Sequence, residues 1–314
     1  MPHARCSGYH PRKGRSPAEA PGCREPCRWL PSPVVAFAYP PATHVLRDLG
    51  IESEVRPDGT ASAWLPVTSW VAAPWGGVRA GVLATLVDVA GGGLAVRSAQ
   101  PDWIATADLA VASTSPAAGP FVEARVQVAR KGRTTLVVEV HLFDAPAGFR
   151  MGPEAPIGWG SMTFAVLPRR HTTPTLDVLP MAGARTSFRS PETGLSRPIA
   201  EAAGITCADG VASLSISEYV GNSLGAVQGG MMALLGDVAG AAAVGEAIGA
   251  SATSVDLHVT YLALGRTGPI RARAELLAAD AVRGSATVHL YEDGGGGRLA
   301  TVVTVTAISA GQTL

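Results

Sequence analysis

The tetrapeptide DVAG occurs twice, around Asp88 and Asp237, and the two aspartates stand 149 residues apart. Further landmarks keep almost the same offset. Asp108 in TADLAV matches Asp256 in SVDLHV at 148, Gly119-Pro120 matches Gly268-Pro269 at 149, and VHLFD at Val140 matches VHLYE at Val288 at 148. Four matches in register make the chain two copies of one unit. A fold must therefore be found that one copy can adopt and that tolerates a second copy beside it.

Each copy has the same order of elements. In the second, GVASLSIS alternates apolar and polar residues as a strand does. The Gly-bearing turn GNSLGAVQGG leads into an apolar helix from about Met231 to Ile248, opened by Gly229-Gly230 and closed by Gly249. Four strand-like runs follow: TSVDLHVTYLA, PIRARAELLA, GSATVHLYE and LATVVTVTAIS. The first copy runs ASAWLPV, a helix from about Val82 to Ser98, then WIATADLAVAS, FVEARVQVA, TTLVVEVHLFD and GWGSMTFAVL. A helix apolar nearly all round, followed by an antiparallel meander, is expected to lie in the concave face of the sheet. The fold class is α+β. The predicted boundaries are a disordered tail over 1–42, units over 43–168 and 199–310, and a Pro-, Arg-, Ser- and Thr-rich surface linker over 169–198.

Lys plus Arg and Asp plus Glu number 25 each, so no net field attracts nucleic acid or an anionic membrane. Mean hydropathy is +0.22 with 5% aromatics, a core of small aliphatic side chains. No run of about 18 uninterrupted apolar residues is present, and no membrane span is expected. Three of four cysteines (Cys6, Cys23, Cys27) fall in the first 27 residues and only Cys207 in the folded region. This speaks against a disulfide scaffold and fits a reducing cytoplasm. Cys23 and Cys27 with His3 and His10 lack a second ligand pair at zinc-site spacing, so no metal is expected, nor any other cofactor.

An ionised Asp is costly to bury without a partner; one in the middle of each apolar helix therefore needs a reason. Amides at a helix N-terminus are unpaired and carry the positive end of the dipole. Gly229 and Gly230 let another group approach that backbone closely, a ready oxyanion site for acyl chemistry. Asp88 or Asp237 could activate water as a general base or attack a carbonyl directly. Asn222 and Gln228 could hold a carbonyl or a water by hydrogen bonds. The bland alternative is a structural carboxylate satisfied by neighbouring amides, with the glycines serving only as helix punctuation. His141 and His289 read as sheet-face residues, and Asp108 and Asp256 as solvent-facing or paired across a dimer, with no chemistry assigned to them.

Strand, Gly-rich turn, central helix with one Asp and four further strands resemble a hotdog unit. The stretch NSLGAVQGGMMALLGDVAG, with SVDLHVTYL behind it, resembles the acyl-CoA thioesterases of the phenylacetate-degradation type. In that family an Asn and a Gly precede a His-Gly-Gly turn, and the Asp follows eight residues beyond the first Gly of the pair. Asn222, Gly225, Gly229, Gly230 and Asp237 occupy those positions, Gln228 stands in the His slot, and Ser254 falls on a small-hydroxyl position. In the first copy Asp88 and Thr106 correspond to Asp237 and Ser254, while Ala73 replaces the Asn and Arg79, Ala80 and Gly81 replace the His-Gly-Gly element.

The resemblance implies two tandem hotdog units paired within the chain, with further homodimerisation open, and sites shared between units. One site would join Asn222, Gln228, Gly229 and Gly230 with Asp88 and Thr106. The other would join Arg79, Ala80 and Gly81 with Asp237 and Ser254, Arg79 being placed to meet a CoA phosphate. The first has the fuller turn and is the preferred one. The implied activity is acyl-CoA thioester hydrolysis. The alternatives are a non-catalytic acyl-thioester binding module, or a dehydratase on the same fold, which needs an Asp–His pair that neither helix offers.

Overall fold

The computed structural model describes residues 39–74, 76–146, 155–169, 183, 185–208 and 210–310. The tail expected over 1–42 and its Cys and His residues fall almost wholly outside these, as do residues 170–182 and 184 of the expected linker. In chain order the elements are α1 (Val45–Asp48), β1 (Glu52–Val55), β2 (Ala61–Pro66), α2 (Ala80–Ala99), β3 (Trp103–Ser113), β4 (Phe121–Lys131), β5 (Thr135–Ala145) and β6 (Ala155–Leu167). Then follow β7 (Arg185–Ser187), α3 (Ile199–Ala202), β8 (Ile205–Ala208), β9 (Val211–Leu214), α4 (Gly229–Ile248), β10 (Ala252–Tyr261), β11 (Ile270–Ala279), β12 (Arg283–Glu292) and β13 (Arg298–Ser309).

All strands belong to one antiparallel sheet in the order β7-β1-β2-β4-β5-β6-β3-β10-β13-β12-β11-β9-β8. Apart from β7, which has no counterpart beyond β8, the order reads alike from both ends. The strands after each helix are not a simple meander. A helix of 20 residues is about 30 Å long, and it carries the chain across the sheet before β3 or β10 begins. That strand therefore lies at the far side, beside β6 or β13, rather than next to the strand that follows it. The consequence is the joint: β3 and β10 pair from Asp108↔Thr260 to Ala112↔Asp256 and fuse the halves into one sheet. On its outer face His258 Nε2 meets Asp108 Oδ2 at 2.6 Å, a pairing between units for an Asp with no assigned chemistry.

Three strands lie where the sequence reading had none. Residues 185–187, within the stretch read as linker, form β7 on β1. β1, between β7 and β2, and β8, at the opposite edge of the sheet, have four residues each, too short to show a period.

The helices α2 and α4 lie against the sheet and against each other, and most of their residues are buried. By length and composition both would suffice to cross a membrane. The helices are apolar all round because strands cover one side and the other helix covers part of the rest. Glycine makes the covering close. A methyl group on Gly236 would stand 2.6 Å from Val303, and one on Gly240 2.7 Å from Val305. Such glycines cost about 1 kcal/mol each in helix propensity. Gly249, in the left-handed conformation at φ 68°, ends α4, whereas Pro101 stands directly beyond the last turn of α2.

Where the helices cross, Gly81 faces Leu234 and Gly230 faces Thr85. A Cβ on Gly81 would be 2.6 Å from the Leu234 Cα, and one on Gly230 2.6 Å from the Thr85 Cα. Both neighbours are backbone atoms and can move only if the helices part. Gly81→Ala is therefore expected to lower unfolding stability by at least the ~1–3 kcal/mol typical of overpacking, read from the urea midpoint. Gly92→Ala, with open space at its Cβ, should be neutral or stabilising.

Candidate active site

Each copy builds the same loop before its helix. In the second, the Gly221↔Val227 bridge encloses a turn in which Asn222 N–H donates to Ala226 O at 2.6 Å, and Gly225 takes φ 69°. In the first, Ala72 bridges Val78, Ala73 N–H donates to Gly77 O at 2.6 Å, and Gly76 takes φ 98°. The Asn222 side chain reinforces only the second loop. Its Oδ1 accepts from Leu224 N–H at 2.9 Å and Ala226 N–H at 3.0 Å, and its Nδ2 reaches Val227 O at 3.5 Å. That amide is spent inside the turn and does not face the carboxylate, unlike the carbonyl- or water-holding role expected of it.

The loops deliver each helix N-terminus to the Asp of the other helix. Gln228 caps α4: its Oε1 accepts from Met231 N–H at 3.1 Å while its Nε2 donates to Asp88 Oδ2 at 2.6 Å. The Gln228 side chain is thus a bridge between two helices, its amide orientation fixed by a donor on one side and an acceptor on the other. Gly229 presses against the same carboxylate, since a Cβ there would stand 3.1 Å from Asp88 Oδ2. With Met231 N–H capped by Gln228 and the Gly230 amide interacting with Asp88, the Gly229 N–H is left as the first-turn amide without a partner among the described residues.

Burial pushes the Asp88 carboxyl up to about 6, and the Gly230 amide opposes the rise by favouring the charged form. Two tyrosines that sequence reasoning missed surround it. Burial and the nearby Asp88 charge raise both phenols, Tyr39 and Tyr261. The Tyr261 hydroxyl donates to Gly229 O at 3.0 Å, and that of Tyr39 to Gly221 O at 3.3 Å. The buried His44 also serves this loop. Its Nδ1 accepts from Leu46 N–H, so Nε2 carries the proton and donates to Gly221 O at 2.8 Å. Only the tyrosine in VTYL lay close to a motif; Tyr39 and His44 carry no local signal.

The second centre has the same plan and different chemistry. Gly81 N–H donates to Asp237 Oδ2 at 3.1 Å, and Arg79 Nη1 lies 3.5 Å from the same oxygen. Arg79 thus turns inward to a carboxylate rather than outward to a phosphate. Asp237 is fully buried, and its Oδ1 has no hydrogen-bond partner among the described residues. Ser254 is buried with its Oγ unpartnered among the described residues, while Thr106 is only partly buried. Both stand at the β-bulge of their strand, before Asp256 and Asp108. Among the described residues no His, Cys, Asp and Glu cluster could hold a metal ion.

Neither a protein-family model nor a curated protein sequence matches the chain. Solved structures do. A protein from Lactobacillus plantarum assigned as an oleoyl thioesterase matches at TM-score 0.53 and 13% identity, over 86% of this chain and 99% of that one. The TesB protein of Mycobacterium avium subspecies paratuberculosis matches at 0.54 and 12%, over 84% and 98%. A protein from Thermobifida fusca assigned as a thioesterase II matches at 0.52 and 18%, over 86% and 98%. At these identities the likeness is one of fold: over most of its length this chain has the fold of these proteins.

A carboxyl raised in the folded state binds its proton more tightly there than in the unfolded chain. Folding stability is then greatest below the unfolded value near 4 and falls as pH rises through about 6. At about 1.4 kcal/mol per unit, Asp88 costs roughly 2–3 kcal/mol at neutral pH. Asp88→Asn should therefore stabilise the protein by that order at pH 8 and have little effect at pH 4, measured by urea unfolding.

Proposed function

We propose that the protein is a tandem hotdog acyl-CoA thioesterase and that its working site is the one built on Asp88. The observation that carries this reading is the Asp88 carboxylate held between units against a glycine-opened helix N-terminus, bridged by Gln228 Nε2 at 2.6 Å. A carboxyl at about 6 is ionised at neutral pH yet basic enough to take a proton from water. Gln228 occupies Oδ2 and orients the group.

In this reading the thioester carbonyl lies at the start of α4, where the Gly229 N–H and the helix dipole receive the oxyanion. Asp88 removes a proton from water as its oxygen bonds to the acyl carbon. The C–S bond then breaks, and the thiolate leaves with the proton that Asp88 held. Asn222 and His44 act at a distance by fixing the loop, and Thr106 would approach from the first bulge. The Asp237 centre is read as the silent partner, because the cation of Arg79 shares the carboxylate oxygen that Gln228 holds in the working site. Membership in the phenylacetate-degradation type is supported by the Asn222, Gly225, Gly229 and Gly230 pattern, with Gln228 as its departure.

The test is free-thiol release from acyl-CoA esters of graded chain length. Asp88→Asn should lower kcat by ~100-fold or more, the scale of a lost general base, while Asp237→Asn stays within a few-fold of the parent. The acid limb of kcat/KM should fall near pH 6. Loss only with Asp237→Asn would exchange the two sites. Saturable acyl-CoA binding with no thiol release by the parent would replace the enzyme by a binding module.

A further inference from the structure

The two centres differ at a pair of positions outside the family pattern. Helix α4 opens with Gly229 and α2 with Ala80, which occupy equivalent places 149 residues apart. The bulges at Thr106/Asp108 and Ser254/Asp256 align β3 with β10 at an offset of 148, so Tyr261 and Ser113 are equivalent too. Tyr261 follows Leu257 and Val259 on the inner, helix-facing side of β10, as Ser113 follows Leu109 and Val111 on β3. The working centre therefore combines a large phenol with a bare glycine, and the other a small hydroxyl with a methyl group.

These differences compensate in space. A Cβ on Gly229 would stand 3.2 Å from the Tyr261 hydroxyl as well as 3.1 Å from Asp88 Oδ2. Both are closer than ordinary contact, so the phenol occupies room that only glycine leaves. The hydroxyl uses that position to donate to Gly229 O at 3.0 Å. In a helix the first carbonyl accepts from an amide four residues on, so Tyr261 supplies a second donor to the peptide that follows Gly229. That peptide carries the Gly230 N–H, the group that faces Asp88.

We infer that Tyr261 is a positioning residue of the Asp88 centre: its hydroxyl fixes the Gly229–Gly230 peptide and thereby aims the first-turn amides at the carboxylate and at the carbonyl to be cleaved. This inference deepens the proposed function and rests on it for its kinetic consequence. Ser113 is turned elsewhere, its Oγ lying 3.3 Å from Ser115 O and 3.5 Å from Ile157 O. The Asp237 centre has no such support.

Tyr261→Phe keeps the ring and removes the donor. Expected are a fall in kcat of about tenfold, the scale of one hydrogen bond, KM within about twofold, and faster hydrogen–deuterium exchange at Gly230 with the strands unchanged. Parent kcat together with parent exchange in Tyr261→Phe would overturn the inference. A second comparison separates positioning from packing. Gly229→Ala should lose stability, and Gly229→Ala/Tyr261→Ser, which installs the pair of the first copy, should regain it without regaining kcat. Recovery of both would make Tyr261 a packing residue only. A parent that releases no thiol would sink the proposed function, and Gly230 exchange in Tyr261→Phe would still decide whether the hydroxyl holds the turn.

Discussion

The crossing of α2 and α4 governs everything else in this protein. It is close because Gly81 and Gly230 lack side chains where each meets the other helix, and closeness is what aligns each aspartate with the opposite N-terminus. The arrangement also resolves an electrostatic difficulty. A carboxylate in an apolar helix loses its hydration, and the opposing helix end returns part of that loss through amides and dipole. The burial cost of Asp88 and Asp237 and the pairing of the two units are therefore one problem with one solution. A single copy, folded alone, would leave its aspartate facing nothing and its apolar helix uncovered on one side.

Much of this was legible in the sequence, for identifiable reasons. The near-constant offset of Asp88, Asp108, Gly119 and Val140 from their matches marks the repeat in the sequence, and strand alternation with the two apolar helices gives the order of the longer elements. The sharing of sites between units followed from the resemblance, and Gln228 at Asp88 and Gly81 at Asp237 are the contacts that correspond to it. What escaped was whatever depends on a third partner. Tyr39 and His44 reach the Gly221 loop from more than 170 residues away, and nothing in their own neighbourhood marks them. The inward turn of Arg79 and the self-directed bonds of Asn222 are choices of rotamer, which a motif does not encode. The far-side placement of β3 and β10 depends on helix length measured against sheet width, a comparison between elements.

The two centres differ by a small change in what meets the carboxylate. Both have a glycine amide beside the acid. In one, a neutral amide donor orients the carboxylate and leaves its charge uncompensated, so burial raises its proton affinity. In the other, a guanidinium lies at the corresponding oxygen. The difference between Gln228 and Arg79, equivalent residues of the two copies, is thus a difference of one formal charge delivered to the same geometric point.

The β3–β10 joint carries a consequence for how such a molecule can change over generations. When two identical chains meet across a twofold axis, any substitution arises at both centres at once, and a site is improved or ruined in duplicate. Joining the halves in one polypeptide breaks that obligation while the continuous sheet preserves the geometry. Gly229 with Tyr261 can then be kept at one centre and Ala80 with Ser113 at the other. If the Asp88 centre does the work, as proposed, the fused chain carries a spare copy of its own site, free to drift toward support, regulation or a new ligand.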